Sequence, residues 1–193
     1  METSVLRIPY QDKLTDEELM VVCEANPEWR IERNNKGQLI IMSPTGGKTG
    51  NRNFKITGIF WAWADAHSDL GYGFDSSTGF TLPDRSMRSP DVSWVEKSRW
   101  EKLSEFEQIK FAAICPDFVI ELLSDSDEIG TIKEKMSEWV KNGCRLGWLI
   151  DPFDQRVFIY TSGKKVETIS GFNQKLSGGN LLPGFELDLA KLK

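Results

Sequence analysis

The sequence predicts a mixed α/β fold in which helices flank a central sheet. Six segments rich in β-branched and aromatic residues, bounded by Gly, Pro or Asp, are typical of strands: FTLP, PDVSWVE, PDFVIELLS, LGWLIDP, RVFIYTSG and KVETIS. Between the third and the fourth of these segments, apolar residues recur at helical spacing instead. Strand and helix patterns that alternate along one chain indicate a sheet packed against helices.

The first third of the chain is predicted to form a helix, a strand and a longer helix. Thr15 and Glu18 have the spacing of a capping box, which predicts a helix that runs to Asn26. Residues 38–43, QLIIMS, are typical of a buried strand, and residues 44–50 of a turn. The longer helix follows, because apolar residues recur there at helical spacing: Ile56, Ile59, Phe60 and Trp63.

A third helix is predicted between the strand segments PDFVIELLS and LGWLIDP. Thr131 and Glu134 have capping-box spacing, and Asn142-Gly143 is a usual helix end. At about 100° per residue, a buried stripe contains Ile132, Met136, Trp139 and Val140, whereas Glu134, Glu138 and Lys141 face away. Lys135 lies at the edge of the stripe, where a lysine either reaches a neighbouring site or simply extends to solvent.

Length, composition and net charge exclude several classes of protein. A chain of 193 residues with 39% hydrophobic residues fits one domain, residues 1–193. A cytoplasmic location is expected, because no apolar run has the roughly 20 residues of a membrane span and the start lacks signal-peptide features. The three cysteines lack metal-ligand spacing and are expected to be reduced. A net charge of -5 means that any nucleic-acid binding requires a local basic patch.

Glu121 is a carboxylate inside the apolar segment PDFVIELLS. A buried charge needs a partner, so Glu121 pairs either with a basic side chain or with a metal ion. Asp117 is on the same strand, about 13 Å away at roughly 3.3 Å per residue, which is too far to share one cation. Asp91 opens another strand segment, PDVSWVE, and is the viable partner for a magnesium site.

The order of several blocks resembles one nuclease family. The blocks SPDVSWV, PDFVIELLSDSD, EKMSEWVKNGCRLGWLIDP, RVFIY and LLPGFELDL are similar to the Uma-type endonucleases, a branch of the PD-(D/E)XK nuclease superfamily. The resemblance covers roughly residues 29–189 and implies a restriction-endonuclease-like core with a mixed sheet and helices on both sides. It also implies hydrolysis of DNA phosphodiesters with Mg²⁺ or Mn²⁺, and a homodimer is the assembly of many superfamily members.

By this resemblance, Asp91 stands at the aspartate of the PD element and Glu121 at the acidic residue of the D/E-X-K element. The lysine of that element is missing, because Glu121 is followed by two leucines. The family is thought to carry this lysine on the next helix, where Lys135 stands and Lys133 is a less favoured substitute. Glu32 matches an N-terminal acidic position and is either a further metal ligand or a residue that orients a water.

The implied chemistry uses a cation held by Asp91, Glu121 and the Leu122 carbonyl. The cation would polarise the scissile phosphate and lower the pKa of a water, which Lys135 would help to position. Acidic residues clustered without a cation repel one another, so the site should show raised carboxylate pKa values or depend on the lysine.

Two groups of basic residues are candidates for DNA contacts. Lys48, Arg52 and Lys55 surround the start of the long helix, and Arg85 and Arg88 precede Asp91. A solvated face is the alternative interpretation of either group.

Two rival functions remain. A catalytically inactive, nuclease-derived module that binds nucleic acid or protein is favoured by the net charge of -5 and the missing strand lysine, whereas retention of both carboxylates opposes it. A glycosidase also uses two carboxylates, but no block here resembles a sugar-binding groove.

Overall fold

The computed structural model describes residues 4–6 and 14–193. The prediction that the chain lacks a signal peptide rests on its N-terminal segment, most of which lies outside these residues. The described strands are β1 Ser4–Leu6, β2 Arg30–Arg33, β3 Leu39–Met42, β4 Gly71–Asp75, β5 Phe80–Thr81, β6 Met87–Arg88, β7 Val92–Glu96, β8 Phe118–Leu122, β9 Leu146–Asp151, β10 Arg156–Thr161, β11 Glu167–Ser170, β12 Lys175–Ser177 and β13 Glu186–Asp188. The described helices are α1 Asp16–Ala25, α2 Gly47–Ala66, α3 Lys97–Trp100, α4 Glu105–Ile109, α5 Ile129–Lys141 and a 3-10 helix, Leu189–Leu192.

The central sheet is mixed and has the strand order β11-β10-β9-β8-β7-β4. β8 and β9 are parallel, as strands joined by the crossover helix α5 must be, and the other neighbours are antiparallel. β7 pairs with β8 so that Val92 lies opposite Ile120. This register brings the residue before β7 next to the last residues of β8, which positions the candidate site.

Helices cover both faces of this sheet, which confirms the predicted fold class. On one face, Ile56, Phe60 and Trp63 of α2 pack against strand residues that include Ile120 and Leu122. On the other face, Met136 and Trp139 of α5 pack against Val119, Leu149 and Phe158. Because side chains alternate along a strand, Glu121 points to the α5 face together with Val119. The carboxylate therefore faces the helix that carries Lys135.

A second sheet, with the order β1-β3-β2-β6-β5, packs against α1 through a core of Leu19, Ile31, Leu39 and Met87. β2 was not predicted, because its sequence, RIER, is mostly charged. Glu32 and Arg33 of this strand are nevertheless buried, each only 2% exposed. Buried charges require partners from other elements, so β2 depends on contacts that its own sequence does not display.

Helix starts were predicted less well than helix interiors. The capping box of Thr15 and Glu18 is present. The predicted capping box of Thr131 is wrong, because α5 begins at Ile129 and its N-cap residue, Glu128, makes no side-chain capping bond. The predicted turn at 44–50 is also too long, because α2 begins at Gly47. Neither helix start has a side-chain capping bond, so the local capping pattern does not locate it.

No helix in the described ranges is long and apolar enough to cross a membrane. Cys115 and Cys144 are buried, Cys23 is partly buried, and all three are free thiols, as predicted.

Candidate active site

Asp91 and Glu121 lie side by side where β7 begins and β8 ends. The Asp91 amide donates to the Ile120 carbonyl at 3.1 Å, which continues the strand pairing by one residue. Asp91 Oδ2 accepts a hydrogen bond from the Leu122 amide at 2.8 Å, and Oδ1 accepts one from the Asn53 side chain at 2.9 Å. Backbone pairing and α2 therefore fix the Asp91 carboxylate next to the strand that carries Glu121.

Asp117 occupies the opposite end of the same strand, as the distance argument predicted. Its Oδ2 lies 2.8 Å from the Arg99 guanidinium and accepts a hydrogen bond from the Glu96 amide at 2.9 Å. Asp117 thus has a structural ion pair of its own and takes no part in the candidate site.

Lys135 reaches Glu121 from α5. Its Nζ lies 2.9 Å from Glu121 Oε1 and 2.9 Å from Glu32 Oε1, and it donates to the Ser89 carbonyl at 3.3 Å. These three acceptors match the three N–H donors of an ammonium group. The edge lysine of the helix is therefore turned inwards, whereas Lys133 lies 4.0 Å from the centre of the Phe158 ring.

Glu32 connects the second sheet to this cluster. Its Oε1 accepts bonds from Lys135 and from the Ser89 amide, the latter at 3.0 Å, and its Oε2 accepts one from Arg88 at 3.0 Å. Both oxygens are thus occupied by cations and an amide. In the part of the chain that the structure describes, no group of three or more acidic, histidine or cysteine side chains is arranged to hold a metal ion.

Arg88 lies inside the molecule, only 6% exposed. Besides Glu32, it binds Glu138 through a two-pronged contact, Nε to Oε1 at 2.9 Å and Nη2 to Oε2 at 2.7 Å. The expected DNA contact of Arg88 is therefore corrected to an internal ion pair. The prediction that Glu138 faces away from the core is likewise wrong, because this arginine draws it against β6.

The pKa values of the two buried glutamates move in opposite directions. Burial raises the pKa of Glu121 to about 7; Asp91 and Glu32 add to the rise, and Lys135 offsets only part of it. Burial also acts on Glu32, but Lys135 and Arg88 outweigh it and lower the pKa of Glu32 to about 2. Glu121 and Glu32 in turn raise the pKa of Lys135 despite its burial, so its amine stays protonated. These directions agree with the expected behaviour of an acidic cluster that depends on one lysine.

Three further residues complete the site and were not predicted for it. The Trp139 indole donates to Glu121 Oε1 at 2.9 Å, Asn53 binds Asp91, and Arg30 Nη1 lies 3.8 Å from Asp91 Oδ1. Trp139 was predicted only as a core residue. The sequence could have predicted Arg30 as a site residue, because it stands two positions before Glu32 and therefore faces the same side of its strand. Asn53 could not be predicted in this way, since a polar residue on a helix is most often on its solvent side.

The remaining basic candidates lie outside this cluster. Arg52 donates from Nε to the Leu192 carbonyl at 2.7 Å, and Lys55 donates to the Lys191 carbonyl at 3.0 Å, so both help to bind the C-terminal 3-10 helix. Lys48 is exposed near the start of α2, and Arg85 is exposed in a turn with a positive φ of 67°. Arg52 and Lys55 thus have a structural role, but a carbonyl does not neutralise their charge, so all four side chains can still contact phosphate.

A cavity of about 850 Å³ lies between the second sheet and α5. Glu32, Arg88 and Lys135 form part of its wall, and Lys36, Lys133 and Lys141 also contribute to its lining. The cavity therefore borders the Glu32 and Lys135 side of the cluster, whereas Asp91 and Glu121 are not among the residues that line it.

Comparison with known proteins gives an independent result. Residues 16–190 match the model of the family Uma2, described as "Putative restriction endonuclease". The fold is similar to the crystal structure of a putative nuclease belonging to DUF820 from Anabaena variabilis ATCC 29413, with a TM-score of 0.76 and 22% sequence identity over 93% of this chain and 97% of that one. No functionally curated protein matched the sequence. Because the family model spans most of the chain, this protein belongs to the Uma2 family.

Proposed function

We propose that this protein is an endonuclease that hydrolyses DNA phosphodiester bonds with Mg²⁺ or Mn²⁺. One observation carries the proposal: Asp91 and Glu121, from separate strands, lie together with the ammonium of Lys135 bound to one of them. Membership in a family described as "Putative restriction endonuclease" supports the same reaction class. The residues that would act are Asp91, Glu121, Lys135 and Glu32.

The donor set fits a hard divalent cation. Asp91 and Glu121 supply carboxylate oxygens, which magnesium and manganese prefer, and the Leu122 carbonyl belongs to the peptide segment that contacts Asp91. Among the described residues, neither Trp139 nor Lys135 donates to Glu121 Oε2, so this oxygen is left for a ligand. Beside Asp91, the buried Oδ1 of Asn53 has no hydrogen-bond partner within the described chain, as expected where a hydrated ion supplies one.

A cation bound by Asp91 and Glu121 would supply a Lewis acid for the scissile phosphate. Lys135 would have a role separate from that of the cation. Its raised pKa keeps the amine protonated, so it donates hydrogen bonds and cannot serve as the general base. We assign it to positioning the attacking water and to stabilising negative charge that develops on the phosphate.

Glu32 would act through Lys135 rather than on the metal. Its two oxygens are held by Lys135, Arg88 and the Ser89 amide, and its lowered pKa keeps it charged. An ionised carboxylate in this place orients the ammonium towards Glu121. The family resemblance implied a metal ligand or a residue that orients a water; the contacts of Glu32 favour a different role, in which it orients Lys135.

The DNA surface is proposed to include Lys48 and Arg85, with smaller contributions from Arg52 and Lys55. A basic contact to phosphate weakens binding when it is removed and makes affinity fall with salt. A homodimer and a cytoplasmic location remain predictions from the sequence.

A binding module without turnover is the second candidate. Net charge -5 and an ammonium already neutralised by two carboxylates favour it. A cleavage assay on single-stranded, double-stranded and branched DNA with Mg²⁺ or Mn²⁺ distinguishes the two candidate functions.

That assay compares wild type with Asp91→Asn and with Asp125→Asn, a matched control on an exposed loop just after β8. The nuclease proposal expects cleavage by wild type and by Asp125→Asn, stopped by EDTA, and a loss of about 100-fold or more in Asp91→Asn. Absence of cleavage on every substrate would reject the nuclease proposal in favour of the module. Equal cleavage by both variants would reject the assignment of Asp91 to the reaction.

A further inference from the structure

Arg30 differs from the other cations around Glu32. The carboxylates of Glu32 and Glu138 bind Arg88, and Glu32 and Glu121 bind Lys135, so the charges of both are neutralised at hydrogen-bond distance. Arg30 donates from Nη2 to the neutral carbonyl of Ser89 at 2.8 Å. Its only ion pair in the described chain is a longer one, 3.8 Å from Asp91 Oδ1. Arg30 therefore keeps most of its positive charge available.

The guanidinium of Arg30 also keeps an unused donor. Its Nε is buried and has no partner in the described part of the chain. A buried N–H without an acceptor is unfavourable, and a bound ligand that supplies an oxygen would remove the penalty. Arg156 has an equally unpartnered Nε, but its headgroup is committed to Asp154 and Asp151. Arg30, unlike Arg156, therefore has both a free N–H donor and a positive charge that no close carboxylate neutralises.

The position of Arg30 selects the kind of ligand. Its side chain is 34% exposed and stands next to Asp91, which is 12% exposed, so an incoming group can reach both side chains, although the Arg30 Nε atom itself is buried. The Asp91 carboxylate lies on one side of the Arg30 guanidinium. A guanidinium binds planar or tetrahedral oxyanions through paired N–H donors, so a second oxyanion is the ligand that fits best. A phosphate placed against Asp91 by a shared cation would meet these donors.

We propose that Arg30 binds a non-bridging oxygen of the DNA phosphate at the Asp91–Glu121 site. This inference rests on the proposed nuclease function and adds the residue that recognises the phosphate. Because Arg30 and Glu32 stand on one face of β2, the strand presents a phosphate-binding side chain and a lysine-orienting side chain together.

The test measures binding without turnover. A fluorescein-labelled oligodeoxynucleotide is titrated with protein in Ca²⁺, an oxygen-liganded cation that takes the place of Mg²⁺ at the carboxylates, and a gel checks that the strand stays intact. Fluorescence anisotropy gives the Kd of wild type, Arg30→Met and Arg30→Lys. Arg99→Met is the matched control, because Arg99 is 35% exposed and also lies beside a buried aspartate, at the far end of β8. If Arg99→Met lowers the melting temperature, Arg99→Lys takes its place.

We expect Arg30→Met to weaken oligonucleotide binding about tenfold, Arg30→Lys to recover part of the loss, and the Arg99 variant to stay within about twofold of wild type. Calorimetric titration with Mn²⁺ supplies a second readout. Removing a cation near Asp91 should leave Mn²⁺ affinity unchanged or tighter, whereas a merely structural role would weaken Mn²⁺ and DNA binding together.

Wild-type affinity in Arg30→Met, a parallel loss of Mn²⁺ binding, or an equal loss in the Arg99 control would overturn the role of Arg30 while leaving the nuclease proposal standing. Failure of wild type to bind any oligonucleotide would overturn both.

Discussion

Lys135 Nζ lies 2.9 Å from Glu121 Oε1, so a helix supplies the lysine that the strand sequence ELL lacks. The crossover from β8 to β9 makes this possible, because α5 packs on the sheet face to which Glu121 points. Met136 of α5 packs over Gly147 of β9, where a Cβ would lie 2.5 Å from the Met136 side-chain methyl. The position of the lysine is thus a consequence of helix packing.

Replacing Lys135 tests whether this ammonium takes part in cleavage. Lys135→Met should lower the cleavage rate about 100-fold or more while Mn²⁺ binding persists, because both carboxylates remain. Lys135→Arg should retain more activity than Lys135→Met. Lys133→Met is the control, since the Lys133 ammonium lies over the Phe158 ring. Rates come from single-turnover cleavage and metal affinity from calorimetry; full activity in Lys135→Met would remove the lysine from the mechanism.

Replacing Glu32 tests the ion-pair cluster between the sheets. Glu32→Gln leaves Lys135 and Arg88 short of a buried countercharge, which should cost about 3 kcal/mol of unfolding free energy at pH 7. Denaturant unfolding measures the loss, with Glu134→Gln, an exposed change on α5, as control.

The same variant has a defined pH dependence. The folded pKa of Glu32, about 2, is below the ordinary value of 4.5, so its stabilisation is present above about pH 4.5 and is lost as pH falls towards 2. The gap between wild type and Glu32→Gln should therefore narrow across that window. A gap that is constant with pH would show that the carboxylate charge is not what stabilises the cluster.

Glu121 should show the opposite pH dependence in the metal-free protein. Its folded pKa of about 7 is above the ordinary 4.5, so the protonated form stabilises the fold, and this advantage is lost as pH rises from about 4.5 to about 7. Over this range, wild type should lose about 3 kcal/mol relative to Glu121→Gln. Unfolding curves measured with EDTA at several pH values test this; parallel stability profiles would contradict it.

Trp139 is expected to hold Glu121 in place. Trp139→Phe keeps an aromatic ring in the core but removes the indole N–H that donates to Glu121 Oε1. The lost bond to a carboxylate should cost about 1 to 3 kcal/mol and raise the pKa of Glu121 further, because the donor favours the charged form. Unfolding at pH 8 and at pH 5 separates these effects, since the penalty should be larger at pH 8. Trp148→Phe is the control, because its buried indole N–H has no partner in the described chain.

Much of the central sheet was predictable because its strands are apolar and continuous in sequence. Phe118, Ile120 and Leu122 form one face, as alternation requires, and the pairing of Asp91 with Glu121 follows from adjacent strands. The second sheet was largely missed, because charged residues fill β2 and its partner β6 has only two residues. Their stability comes from ion pairs between distant segments, which local patterns do not contain.

The candidate site was likewise predicted in part and missed in part. Its carboxylates and lysine were visible as charges in or beside apolar patterns, and the family resemblance gave their order. Arg88 and Glu138 were misplaced, since helical spacing shows which face a residue occupies but not that an arginine from another sheet will cover it. Asn53 was missed because its role depends on where α2 meets Asp91.

A manganese-soaked crystal tests the central claim most directly. Anomalous diffraction should place an ion between the Asp91 and Glu121 carboxylates, at about 2.1 to 2.2 Å from an oxygen of each, with the Lys135 amine nearby. The same soak of Asp91→Asn should show no ion there. An empty site in wild type at millimolar Mn²⁺, or an ion bound elsewhere without either carboxylate, would contradict the proposed metal-dependent nuclease.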